Sequence, residues 1–267
     1  MSRTIKKKDP VTADIMKRLF QRFNNSDSTL KDLWLLAMCA VSYAGFLIYD
    51  ELSNLKANNL TFREDYLDIF VEKSKTDCYI YGKNVLIAKL NNQYCPVSIL
   101  QCYISLAGID LLSDMFLFRS LSFLKKSNTF ILRKKNVKLS YTRGREVVKS
   151  ALASLGLNIS DYGLHSLRSG GATSAWNFGT SDRLFKAHGR WKSEMLKMDT
   201  FAKIEKPGCQ LPKILVYHSF LKFFTISFLC PCRNGHCARQ LLWEFVFHLF
   251  SLSVWGASGL YYEGCCT

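Results

Sequence analysis

The clearest periodicity in the chain runs from Leu33 to Ala44, where Leu33, Leu36, Ala37, Ala40, Val41 and Ala44 recur every three to four residues. That spacing gathers them on one side of an α-helix. Asp27-Ser28-Thr29 stands just before it, and Thr29 and Asp32 have the separation of a capping box, which marks the helix start. Gly45 interrupts the pattern, and Asp50, Glu51 and Leu52 begin a second, short helical turn. Strand chemistry follows in Tyr66-Leu67-Asp68-Ile69-Phe70-Val71 and, after the polar stretch Lys73 to Asp77, in a β-rich run from Tyr79 to Leu90. Two such runs predict a small antiparallel sheet with a polar crossing near Lys75. Pro96 then opens a helix to about Leu106.

Further along, Val148, Ala151, Leu152 and Leu155 give one helix a core-facing side. Leu164 to Phe178 reads as another, yet it contains the adjacent Gly170 and Gly171, each costing about 1 kcal/mol relative to Ala in a helix interior. Some other segment must come close there. Gly179 ends the helix, Thr180 or Ser181 caps the next, and Asp182 to Ala187 continues it. Helix, glycine turn, helix is by itself a weak sign of a helix-turn-helix. The pattern as a whole predicts a mainly α fold with a small antiparallel β-sheet, in the α+β class.

Composition narrows the function. With 48% apolar and 13% aromatic residues, the 267-residue chain is too hydrophobic for a disordered protein. Its 36 basic and 21 acidic residues leave a charge of +15, which directs it toward a polyanion. Residues 1–206 carry 32 of the basic and 19 of the acidic groups, so the field belongs to that part. Between Lys125 and Lys149 stand Lys125, Lys126, Arg133, Lys134, Lys135, Lys138, Arg143, Arg145 and Lys149 against the single acid Glu146. A solvated face is the plain explanation of such a run, and a contact with a phosphate backbone is the functional one. Six of the ten cysteines fall in the last 61 residues; the other four are scattered, as in a reducing compartment. The basic N-terminus lacks the apolar stretch of a secretory signal, and none is expected.

His165-Ser166-Leu167-Arg168 sets a histidine and an arginine three residues apart, on one side of a helix, where the pair suits a phosphate. Twenty residues after Arg168 come His188-Gly189-Arg190-Trp191. Gly163-Leu164-His165-Ser166-Leu167-Arg168-Ser169-Gly170-Gly171-Ala172-Thr173 resembles the second catalytic box of the tyrosine recombinases or phage integrases, especially their eukaryotic crypton-like, mobile-element branch. Asp182 to Lys186, running into His188-Gly189-Arg190-Trp191-Lys192-Ser193, resembles the third box. Gly45-Phe46-Leu47 with Asp50 to Lys56 is similar to the first, and Glu72 to Asp77 to the hairpin that carries the family's lysine. The resemblance covers residues 9–204 in the family's order.

The resemblance implies the fold of that family's catalytic domain and a phosphodiester exchange through a 3′-phosphotyrosine. In it two arginines, a histidine or lysine, and a further histidine or tryptophan hold the phosphate, while a lysine protonates the leaving 5′-oxygen. Residue by residue, Arg168 matches the second arginine, His165 its helix partner, His188 the third-box histidine and Lys75 the general acid, with Lys73 as fallback. Two positions depart from the pattern. Ile48 stands where the first arginine belongs, and Phe201 stands nearest to the nucleophilic tyrosine. Losing one preorganised donor costs on the order of 10²- to 10³-fold in rate, whereas losing the nucleophile removes the covalent step altogether. The expectation is therefore a catalytically dead, DNA-binding domain.

Three segments are expected: a basic lead at 1–8, the recombinase-like domain at 9–206, and an apolar, Cys-rich tail at 207–267. The expected partner is double-stranded DNA, contacted by Lys125, Lys126, Arg133, Lys134, Lys135, Lys138, Arg143, Arg145 and Arg190, in the nucleus, with homo-oligomerisation on the DNA left open. Two apolar runs in the tail have the length of membrane spans, but Lys213, His218, Lys222, Glu244 and His248 interrupt them, and a membrane partner is not favoured. Cys230, Cys232, His236 and Cys237 are crowded at a spacing atypical of zinc. No metal or other cofactor is expected.

Overall fold

The computed structural model describes residues 7–72 and 82–191. Lys73, Lys75, Phe201 and the whole tail therefore lie outside the described residues. The described part is mainly helical, as the pattern predicts, with the expected small antiparallel sheet and a second, two-stranded one that was not expected.

Helix α1 (Ala13–Phe23) is an element the periodicity reading did not single out. Thr12 caps it by accepting from the Ile15 amide, and Ile15, Met16, Leu19 and Phe20 form its buried side. Helix α2 (Leu30–Ala44) is the axis of the core. Its capping box is present: Thr29 accepts from the Asp32 amide and Asp32 accepts from that of Thr29. Only one apolar side was expected of α2, but it is covered nearly all round, with eleven consecutive buried positions from Leu33 to Tyr43. A short α3 (Tyr49–Asn54) follows the turn at Gly45.

Strands β1 (Leu60–Phe62), β2 (Tyr66–Val71) and β3 (Lys83–Ala88) form a meander in the order β1-β2-β3. Val71 pairs with Lys83, so the segment bearing Lys73 and Lys75 is the connection between β2 and β3. Glu72, next to it, accepts from Lys56 Nζ and Asn59 Nδ2, both at 3.2 Å, and ties the sheet to the turn after α3. Those donors hold its carboxyl below the usual range, the Asn59 bond first. Helix α4 (Pro96–Ala107) opens on Pro96 as expected and packs along α2.

Part of the basic run departs from the loop and helix face expected of it. Strands β4 (Leu121–Leu124) and β5 (Thr129–Leu132) pair as a hairpin with Lys125 and Lys126 at its tip. Helix α5 (Tyr141–Ala153) follows, then α6 (His165–Asn177) and α7 (Asp182–Gly189). The glycines of α6 answer the question their cost raised. A Cβ on Gly170 would lie 1.8 Å from the Val11 carbonyl oxygen, and one on Gly171 2.0 Å from that of Tyr43. The segment before α1 and the last turn of α2 thus rest directly on the α6 backbone, and the Val11 amide bonds to the Ser166 carbonyl at 2.8 Å. No helix among the described residues is long and apolar enough to cross a membrane.

Candidate functional site

Three pieces of chain converge beside the C-terminal end of α2: the turn Gly45 to Ile48 with α3, the first turns of α6, and the end of α7. At their centre is Glu51, whose side chain is 2% exposed. Arg190, 3% exposed, meets it from the residue after α7. Its Nη2 lies 2.7 Å from Glu51 Oε2 and its Nε 3.3 Å from Oε1. Nη1 donates to the carbonyls of Gly45 (3.2 Å) and His188 (2.9 Å), and Nη2 also to that of Phe46 (2.9 Å). A guanidinium has five N–H groups, and here all five are used.

Arg168, on α6, comes to the same place with a different balance. It donates to the carbonyls of Phe46 and Gly189 and stands 3.6 Å from Glu51. Its other three N–H groups make no hydrogen bond among the described residues, and its side chain keeps 16% of its surface exposed. Burial, then the neighbouring Arg190, lower its pKa to about 10 against the pull of Glu51, so it remains a cation at neutral pH.

The expectation for His188 meets a correction of geometry. Its ring is buried, packed edge-on to Phe46 at 4.6 Å, and its Nε2 lies 2.8 Å from the Ala44 carbonyl, which fixes that nitrogen as a donor. Burial, with the two arginines adding to it, pushes its pKa down to about 4. Held there, the imidazole is neutral at neutral pH. The side chain that faces Arg168 from this end of the chain is Trp191, with the guanidinium 5.3 Å from its ring. Trp191 also stacks on Phe46 and meets Phe185 at 4.6 Å. Gly189 allows this, since a Cβ there would lie 2.5 Å from the indole. The Gly189-Arg190-Trp191 string was the available signal, but spacing alone could not say which of its side chains turns toward Arg168.

Arg190 is a second correction. It was grouped with the DNA-contacting residues, yet its burial and its five engaged donors leave nothing to offer an outside phosphate. Ile48 caps the backbone of α3, its amide donating to Glu51 Oε2 at 3.0 Å, and its hydrocarbon side chain brings no donor to the site. His165 is exposed in the first turn of α6, one turn before Arg168. Lys125, Lys126, Arg133, Lys134, Lys135, Lys138, Arg143 and Arg145 are all exposed. They do not form one patch around Arg168. Lys138 donates to Asn54 at the end of α3 (3.2 Å), beside the point where Tyr49 donates to the carbonyls of Leu139 and Ser140. Among the described residues no group of three or more metal-ligating side chains occurs.

Solved structures share this architecture. A XerH site-specific recombinase bound to its difH substrate before cleavage superposes with a TM-score of 0.53 at 15% identity, over 72% of this chain and 49% of that one. The XerA recombinase gives 0.52 at 16%, over 86% and 68%, and a lambda integrase dimer on a COC′ core site gives 0.50 at 16%, over 79% and 53%. The fold is that of a tyrosine recombinase catalytic domain. This chain spans about half the length of the XerH recombinase. No family model matches the sequence, and no curated protein does. In this chain the turn after α2, Arg168 on α6 and the end of α7 meet at the Phe46 carbonyl and Glu51.

Proposed function

We propose that the chain is a DNA-binding, recombinase-type domain of the kind used in DNA recombination and integration, descended from a mobile element and unable to exchange strands by itself. The observation that carries this reading is Arg168: a half-buried cation set against an indole, with three N–H groups that make no hydrogen bond among the described residues. A phosphate oxygen is the natural acceptor for such a fork. Trp191, whose indole N–H makes no hydrogen bond among the described residues, lies against Arg168 and in this reading serves the phosphate where the resemblance had assigned His188. His165 completes the contact from the exposed first turn of α6. Lys75 keeps the amine of the family's general acid but, with no strand cleaved, serves in this reading as a phosphate-binding cation, and duplex DNA in the nucleus is the partner.

Chemistry stops at binding because Ile48 cannot donate and Phe201 has no hydroxyl. The recombinase neighbours bound to DNA support the choice of partner, and the dimer of lambda integrase is the support for assembly of copies on the site. The test is a nicked duplex that traps any covalent intermediate. The native chain is expected to bind it, more weakly as salt rises, and to form no adduct resistant to denaturant. An Ile48→Arg, Phe201→Tyr double variant regains the two missing groups and is the form in which an adduct is expected. An adduct with the native chain would overturn the inactive reading, and absence of binding at low salt would overturn the DNA reading.

A further inference from the structure

Glu51 faces two guanidinium groups and is shared between them unequally. Arg190 grips both carboxylate oxygens, at 2.7 and 3.3 Å, while Arg168 stops at 3.6 Å, beyond hydrogen-bonding reach. A carboxylate buried this deeply is costly without a partner, so with Arg190 gone the adjacent fork of Arg168 is the one it would take. Resting on the DNA reading above, we infer that Arg190 is a positioning residue: by occupying Glu51 it leaves the N–H groups of Arg168 open to a phosphate.

The backbone supports this. Arg190 has φ +57 and Phe46 φ +48, two of only three non-glycine residues with left-handed backbone among those described. They are joined through the Phe46 carbonyl, which accepts from both arginines. Non-glycine residues persist in that conformation only where their surroundings hold them there. Here Arg190 braces the turn that carries Phe46, and the turn in turn offers Arg168 a carbonyl in place of the carboxylate.

Replacement by glycine suits the backbone at 190 and removes only the side chain. The full chain, its Arg190→Gly variant, Arg168→Ala, and a Glu51→Gln, Arg190→Gly double variant would be titrated with a short duplex over a range of salt. One lost phosphate contact lowers the slope of log affinity against log salt by about 0.9. Arg190→Gly is expected to lose that amount, as Arg168→Ala does, although residue 190 touches no DNA. Adding Glu51→Gln is expected to restore the native slope, since it removes the carboxylate that captured Arg168. A brace and nothing more predicts otherwise: Arg190→Gly would melt earlier with its slope unchanged, or the second substitution would deepen the loss, and either result overturns the inference. Should Arg190→Gly fail to fold, the double variant decides, a native slope supporting the inference and a reduced slope or an unfolded chain overturning it. A slope indifferent to Arg168→Ala would instead defeat the DNA reading on which all this stands.

Discussion

His188 shows what a single buried side chain does to the behaviour of the fold. Its pKa falls from about 6.5 in an unfolded chain to about 4 in the folded one, chiefly through burial, while Arg168, Arg190 and Glu51 are the charged groups around it. Between those values the unfolded chain binds the proton and the native one does not, so stability falls as pH falls. At pH 5 the loss from this group is about 2 kcal/mol relative to pH 7.5. Urea unfolding of the native chain and of His188→Gln across pH 7.5 to 4.5 would show it. The native chain is expected to lose more stability below pH 6.5, the difference between the two isolating this ring from the other four histidines. Equal pH slopes would refute the assignment. The same residue marks the limit of what the sequence disclosed. The helix that carries His165 and Arg168 was legible in the second box, because a helical spacing of three fixes where side chains project. The third did not resolve, because spacing alone does not register the left-handed backbone at Arg190, after which Trp191 lies against Arg168.

At the scale of elements, the glycine pair in α6 was legible as a demand for close approach, and its partners, Val11 and Tyr43, became visible only with tertiary structure. The capped start of α2 and the β2–β3 pairing were legible too, since caps and alternation are local signals. The β4–β5 hairpin was not. Its strands are four residues long, Phe123, Leu124 and Ile131 on them are exposed, and a lysine-rich tip hides the alternation within a charge run. Gly171→Ala tests the glycine argument. Alanine gains about 1 kcal/mol of helix propensity, but its Cβ meets the backbone of α2 rather than a side chain that could swing away. Overpacking of that kind costs about 1–3 kcal/mol or more. A lower denaturation midpoint is therefore expected, and a variant as stable as the native chain would mean that α2 and α6 do not meet at this distance.

Among the described residues, the two ends of α2 meet different basic segments. Ala44, at the C-terminal end of that helix, accepts the His188 bond beside Arg168, whereas Lys31, at the other end, lies over the Phe130 ring of the β4–β5 hairpin at 5.3 Å. Thirteen residues of helix at 1.5 Å each put the hairpin about 20 Å from the site. Along duplex DNA that is the length of about six base pairs, at 3.4 Å each. If the proposed DNA lies along α2, Lys125 and Lys126 at the hairpin tip would meet phosphates other than the one at Arg168. A Lys125→Glu, Lys126→Glu variant is expected to fold as the native chain does, because both positions are exposed. Its salt slope should drop by about 1.8, two phosphate contacts' worth. Hydroxyl-radical cleavage should show protection shortened by about six base pairs on one side and unchanged on the other. Protection lost evenly across the site would mean that the hairpin adds only general field, and an unchanged slope would remove it from the DNA-binding surface.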